Sequence, residues 1–124
     1  MIHLDTNYVI GLVTSPFALK DQVLAWFKAG EKFSVSAIAW SEFLNGPITH
    51  REVEDARGII EGRIRAFDLR EAEMAANLFN RTGRRRGTQT DCFIAATALC
   101  AGASFATLNR KDFTPFVAAG LRLA

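Results

Sequence analysis

The residues best suited to chemistry in this 124-residue chain are a few acids and amides scattered along its whole length. Asp5 closes the opening apolar run Met1-Ile2-His3-Leu4, and Asp91 heads an apolar stretch that runs to Cys100. Glu42 stands between Trp40 and Phe43, and Thr107-Leu108-Asn109 follows a late apolar segment. Neither Asp5 nor Asp91 has a Lys or Arg on its apolar side to neutralise it. Burying a carboxylate is costly unless positive charge is close, and a divalent cation supplies that charge best. Two like charges about 4 Å apart repel by roughly 4 kcal/mol at an effective dielectric near 20. Three converging acids would cost a large part of a domain's net stability unless a cation or bound protons relieved them. Magnesium or manganese suits hard oxygen ligands of this kind, and such an ion can ionise water and neutralise a phosphate. Taken singly, each acid also has an ordinary reading: Asp5 as a helix cap, Asp91 as the acid of a capping box opened by Thr88, Glu42 as a surface residue.

Other chemistries fit less well. His3 lies in a strand without a nearby cysteine, and His50 lies in a helix cap, so both read as neutral structural or exposed residues. There is no Gly-rich phosphate loop, CxxC pair or nucleotide fingerprint. Fifteen basic against thirteen acidic residues leave a charge of +2, which alone does not predict nucleic-acid binding. The distribution says more, because Arg81, Arg84, Arg85 and Arg86 crowd together ahead of Gly87, and Arg63, Arg65 and Arg70 form a second group. A solvated helix face is the ordinary reading of such runs. Guanidinium groups also fork onto phosphate oxygens, which makes Arg84, Arg85 and Arg86 candidates for phosphate binding.

The elements that must position these groups follow from periodicity and punctuation. At 49% hydrophobic the chain has material for one core, so residues 1–124 read as a single domain. After a strand at 2–4, Thr6 to Val13 reads as a short helix. Ser15-Pro16 opens another, on which Leu19, Val23, Trp26 and Phe27 keep helical spacing up to Gly30. Phe33-Ser34-Val35 is a strand, and Ser36 caps the helix that carries Glu42 and ends at Asn45-Gly46. Thr49 and Glu52 form a capping box for a helix with Val53, Ala56, Ile59 and Ile60 inward, ended by Gly62. Ile64 to Leu69 is expected as a strand, and Asp68 with Glu71 caps the next helix, where Ala72, Ala75, Leu78 and Phe79 recur. Asp91 to Cys100 is a helix whose dipole should keep Asp91 ionised. Phe105 to Leu108 and Leu121 to Leu123 are the last strands. Strands alternating with helices predict a three-layer α/β/α sandwich around a mostly parallel sheet, with functional groups at the strands' carboxyl ends. Cys92 and Cys100, about 12 Å apart along a helix, are too distant for a disulfide and read as reduced thiols. With no leader pattern and no stretch of membrane-spanning length, a soluble cytoplasmic protein is expected.

The segments LDTNYVIGL, SAIAWSEFLNG, TDCFIAATALCAG and ATLNRKDF, in this order and spacing, resemble the PIN domain family, particularly its small VapC-like toxins. The resemblance implies a magnesium- or manganese-dependent endoribonuclease, the toxin of a toxin–antitoxin pair, with Asp5, Glu42 and Asp91 at its acidic centre. It also implies a homodimer and an antitoxin that inserts a segment into the cleft. Many relatives place a fourth acid after the last strand, where this chain has Asn109. Asn109 can offer a carbonyl or hold a water, and Asp112, one helical turn on, is the alternative fourth carboxylate. Thr6, Asn7 and Thr107 are expected to support the site. One metal should be held firmly by Asp5 and Asp91, with Glu42 direct or through water, and a second only weakly. Two other classes compete: a catalytically silent binding module, favoured by Asn109, and a phosphate-receiving signalling domain. The second lacks its acidic pair, since Asp5 stands alone and Asp55 falls within a helix.

Overall fold

Every strand of the central sheet is short and runs parallel to its neighbours. The computed structural model describes residues 1–124 apart from the side chain of Pro16. The chain runs β1 (Ile2–Leu4), α1 (Thr6–Thr14), α2 (Pro16–Lys28), β2 (Phe33–Ser36), α3 (Ala37–Asn45), α4 (His50–Ile60) and β3 (Ile64–Arg65). It continues with α5 (Leu69–Arg81), α6 (Gln89–Cys100), β4 (Ser104–Ala106), α7 (Arg110–Phe113), a 3-10 turn (Thr114–Ala119) and β5 (Arg122–Leu123). The sheet order is β3-β2-β1-β4-β5, with Ile2 paired to both Phe33 and Ser104. All residues of β1 and β2 are buried, as expected when helices cover both faces of a parallel sheet. The predicted α/β layering is thus present, with a sheet that is wholly parallel.

Local signals placed most helix ends. Ser36 Oγ accepts from the Ala39 amide at 2.9 Å, and Thr49–Glu52 and Asp68–Glu71 close reciprocal capping boxes. Each satisfies amide groups that have no partner inside the helix. Helix α6 is the structural heart: Cys92 and Ile94 through Ala98 are buried, and it packs on α5, α3, β2 and β4. Its small side chains allow that close approach. Cys92 is buried and Cys100 partly so, both as free thiols.

Several boundaries differ from expectation. The strand predicted over Ile64 to Leu69 is only Ile64–Arg65, because β2 ends at Ser36, which turns to cap α3 and leaves nothing further to pair with. Leu69 is instead the first residue of α5. The strand expected at Phe105 to Leu108 is Ser104–Ala106, and Thr107 to Asn109 form the turn beyond it. The last strand starts at Arg122 rather than Leu121. Ser15 occupies the cap of α2 without a side-chain bond to it. Phe27 is 66% exposed and Ala72 is also exposed, so the inward stripes of α2 and α5 are narrower than their periodicity indicated. Asp55 lies on α4 and pairs with Arg51, remote from the strand ends a phospho-receiver would use. Among the described residues no helix is long and apolar enough to cross a membrane.

Candidate active site

The strand order places β1 between β2 and β4, so the chain's direction of winding reverses between β1 and β4. A crevice forms at such a switch point, beyond the carboxyl ends of the strands. Asp5 follows β1 immediately, and its amide donates to the Ala106 carbonyl at 2.9 Å, extending the ladder into the site. Its two carboxylate oxygens are both engaged. Oδ1 accepts from the Thr6 amide at 2.8 Å and Oδ2 from the Thr107 hydroxyl at 2.6 Å. Asp5 therefore does cap α1, the ordinary role, and faces the crevice as well. The Thr107 oxygen in turn accepts from the Asn109 amide at 3.0 Å, and Asn7 Oδ1 accepts from the Leu108 amide at 3.2 Å. The end of β1 and the end of β4 are stitched together by residues about a hundred positions apart.

Glu42 is brought in from α3. Its Oε1 accepts from the Thr6 hydroxyl at 2.8 Å, which ties α3 to the start of α1. Glu42 is exposed, at the rim, rather than pointing into the interior as its apolar neighbours implied. Asp91 comes from the third position of α6. The expected capping box is absent: Thr88 Oγ1 donates to the Arg85 carbonyl at 2.7 Å and makes no cap bond, and the helix starts at Gln89. The Asp91 carboxylate is thereby left free for the crevice. Asp5, Glu42, Asp91 and Asn109 line one open cleft of about 200 Å3, with Ile10 and Ile94 as apolar wall.

The electrostatics are those of crowded acids. Burial raises the Asp5 carboxyl above the ordinary aspartate value, opposed by its hydrogen bonds from Thr107 and Thr6 and reinforced by Glu42 and Asp112. Asp91 is pushed up to about 6, first by burial and then by Asp5, Asp112 and Glu42. The helix dipole favours the ionised form, and although lost solvation and three neighbouring acids raise the carboxyl, at about 6 it is still mostly ionised at neutral pH. Asp112 acts on both aspartates, so the fourth negative charge at the site is its carboxylate, while Asn109 contributes an amide. The signal is spatial: Asn109 lines the cleft itself, while Asp112 shares the adjoining recess with Asp91.

Whether these groups suit a hard divalent cation can be judged from the donors. Among the described residues, no three His, Cys, Asp or Glu side chains close into a complete metal cage. Glu42 is turned to Thr6, and the acids rim the cleft instead of meeting. Magnesium asks for no complete protein cage, since it retains several waters and binds through one or two carboxylates. An all-oxygen donor set in which burial first, and neighbouring acids second, raise both aspartates fits such an ion.

Of the remaining candidates, only Arg85 shares a recess with a site acid. Arg84 has a left-handed backbone (φ 53°) and its Nε donates to Asn80 Oδ1 at 2.9 Å, back toward α5. Arg85 lines a recess of about 120 Å3 with Thr88, Asp91, Lys111, Asp112 and Pro115. Two cations thus share a recess with Asp91, one from a loop and one from α7. Arg86 is exposed. His3 is fully buried, with Nδ1 2.8 Å from Ser34 Oγ, and burial followed by the Arg65 charge lowers its pKa to about 3. It is a neutral structural histidine, as expected.

Residues 2–114 match the PIN domain family, and the chain belongs to that family. FitAcB from Neisseria gonorrhoeae is 28% identical over 99% of this chain and 96% of its own, with a TM-score of 0.66. FitAB bound to an IR36 DNA fragment is 26% identical over 100% of this chain and 94% of its own, with a TM-score of 0.68. A toxin–antitoxin complex from Klebsiella pneumoniae shares the fold at a TM-score of 0.73, with 24% identity over 92% of this chain and 91% of its own. No curated protein matches the chain.

Proposed function

We propose that residues 1–124 form a single nuclease domain, a divalent-metal-dependent endoribonuclease that acts as the toxin of a toxin–antitoxin pair. The observation that carries the reading is the placement of Asp5, Glu42, Asp91 and Asn109 around one cleft at the switch point of the sheet. Asp5 and Asp91 would hold a magnesium or manganese ion, with Glu42 direct or through water and Asp112 adding charge. When bound, such an ion acidifies water for attack on a phosphodiester and neutralises phosphate charge. Thr107 is a positioning residue, because its hydroxyl fixes Asp5 Oδ2 and its oxygen orders Asn109. Thr6 does the same for Glu42, and Asn7 holds the turn after β4. Arg84, Arg85 and Arg86 lie in the loop between α5 and α6, where Arg85 shares a recess with Asp91, and backbone phosphates of RNA would pass along this loop.

A cognate antitoxin is supported by the toxin–antitoxin complex of the same fold. A homodimer in the cytoplasm completes the reading, with exposed Phe17, Leu24 and Phe27 of α2 offering apolar surface for a protein partner. The test is incubation of purified protein with total cellular RNA, with magnesium or with EDTA, and mapping of the cleaved ends. Cleavage should require magnesium and be lost in Asp5→Asn and Asp91→Asn proteins that remain folded. Full activity in both variants would overturn the reading.

A further inference from the structure

We propose that Arg85 and Lys111 form a cationic subsite that takes one phosphate of the RNA backbone at the Asp91–Asp112 edge of the cleft. The inference rests on the ribonuclease reading and adds the residues that position the substrate. The recess holding Arg85 and Lys111 shares Asp91 with the main cleft, so a phosphate seated there adjoins the acids. Two cations and two carboxylates line this recess, yet they do not pair with one another. The ion pairs among the described residues are Met1–Glu31, Arg51–Asp55 and Arg63–Glu61. Both cations therefore remain available to an incoming anion.

The backbone around Arg85 is clamped on both sides. The Arg84 amide donates to the Phe79 carbonyl at 2.9 Å, and the Thr88 hydroxyl donates to the Arg85 carbonyl at 2.7 Å. Arg84 is turned back to Asn80 by the same turn, which separates it from Arg85 despite their adjacency. Lys111 arrives from α7, an element fixed in the core by Phe113. A polyanion approaching a rim of four acidic side chains is repelled unless cations stand beside them. A guanidinium that forks onto phosphate oxygens and an ammonium that acts as a point charge meet that need.

The test uses the intact protein and a single-stranded RNA oligonucleotide of mixed sequence that the wild type cleaves, at constant excess magnesium. The dependence of kcat/KM on salt from 50 to 200 mM is compared for wild type, Arg85→Ala, Lys111→Ala and the double variant. Each removed phosphate contact should lower the slope of log(kcat/KM) against log[salt] by about 0.7, and the double variant by about 1.4. KM should rise while kcat stays within twofold. Arg85→Lys and Lys111→Arg should restore the slope, and Arg51→Ala on exposed α4 should leave it alone. Unchanged slope and KM in the double variant would overturn the subsite while leaving the ribonuclease reading standing. A wild type with no magnesium-dependent cleavage of any RNA would overturn that reading, and the subsite with it.

Discussion

Replacing Asp91 by Asn should make the metal-free protein more stable while abolishing its activity. The Asp91 carboxyl is raised from the ordinary aspartate value of 3.8 to about 6. Its folded pKa therefore lies above its unfolded one, so the native state binds more protons between these values. Stability attributable to this group is full below pH 3.8 and is lost as pH rises toward 6. At 1.36 kcal/mol per pKa unit, a rise of this size corresponds to at most about 3 kcal/mol. Asp91 is about half open to water, and screening reduces the figure to roughly 1–1.5 kcal/mol. With an unfolding entropy near 2.1 cal/mol/K per residue, the variant should melt about 4–6 °C higher at pH 7.5 in EDTA. The gap should shrink toward zero as pH falls to 4. Saturating magnesium, at about a hundred times its dissociation constant, should add about 2.7 kcal/mol to the wild type, less to the variant, and so invert their order. Thermal melts of both proteins across pH 4–8, with EDTA and with magnesium, read all of this. Equal melting temperatures in EDTA at pH 7.5, or a gap that widens in acid, would refute the reasoning that repulsion and lost solvation, awaiting a cation, define this cleft.

Two further perturbations probe the supports of the site. Thr107→Val removes the buried hydroxyl that donates to Asp5 Oδ2 and leaves the Asn109 amide without its acceptor, so urea unfolding at pH 7.5 should show a loss of about 1.5–3 kcal/mol. A loss under about 0.5 kcal/mol would mean the bond contributes nothing net. The second concerns His3, whose folded pKa of about 3 lies below its unfolded value, so the native state loses stability as pH falls through 6.5 toward 3. Its Nε2 has no partner, so the double variant His3→Leu/Ser34→Ala should match the wild type within about 1 kcal/mol at pH 7.5. At pH 5 it should resist urea better than the wild type, and a wild type that is the more resistant at pH 5 would contradict the assignment.

What could be read along the chain, and what could not, divides by distance. Ser36, Thr49 with Glu52, and Asp68 with Glu71 were legible because each cap joins residues one to three positions apart. Thr88 with Asp91 has the same spacing and was misleading, since the Thr88 hydroxyl turns to the Arg85 carbonyl and frees the acid for the cleft. The strand ends at 64–69 and 105–108 were overextended because a strand stops where its neighbour stops, and β2 and β5 are themselves short.

Residue type and apolar setting are enough to single out Asp5, Glu42 and Asp91, and the motifs that carry them point to the PIN domain family. Composition, caps and hydrophobic period are local properties, so the sequence alone determined the α/β class and most of the helices. Only the tertiary structure decided that Glu42 stays at the rim, that the Asp112 charge acts on both aspartates, and that Arg85 shares a recess with Lys111 while Arg84 turns away. Each of these depends on groups from different elements meeting at the carboxyl edge of the sheet. Their mutual repulsion, desolvation and hydrogen bonds exist only once β1 and β4 lie side by side.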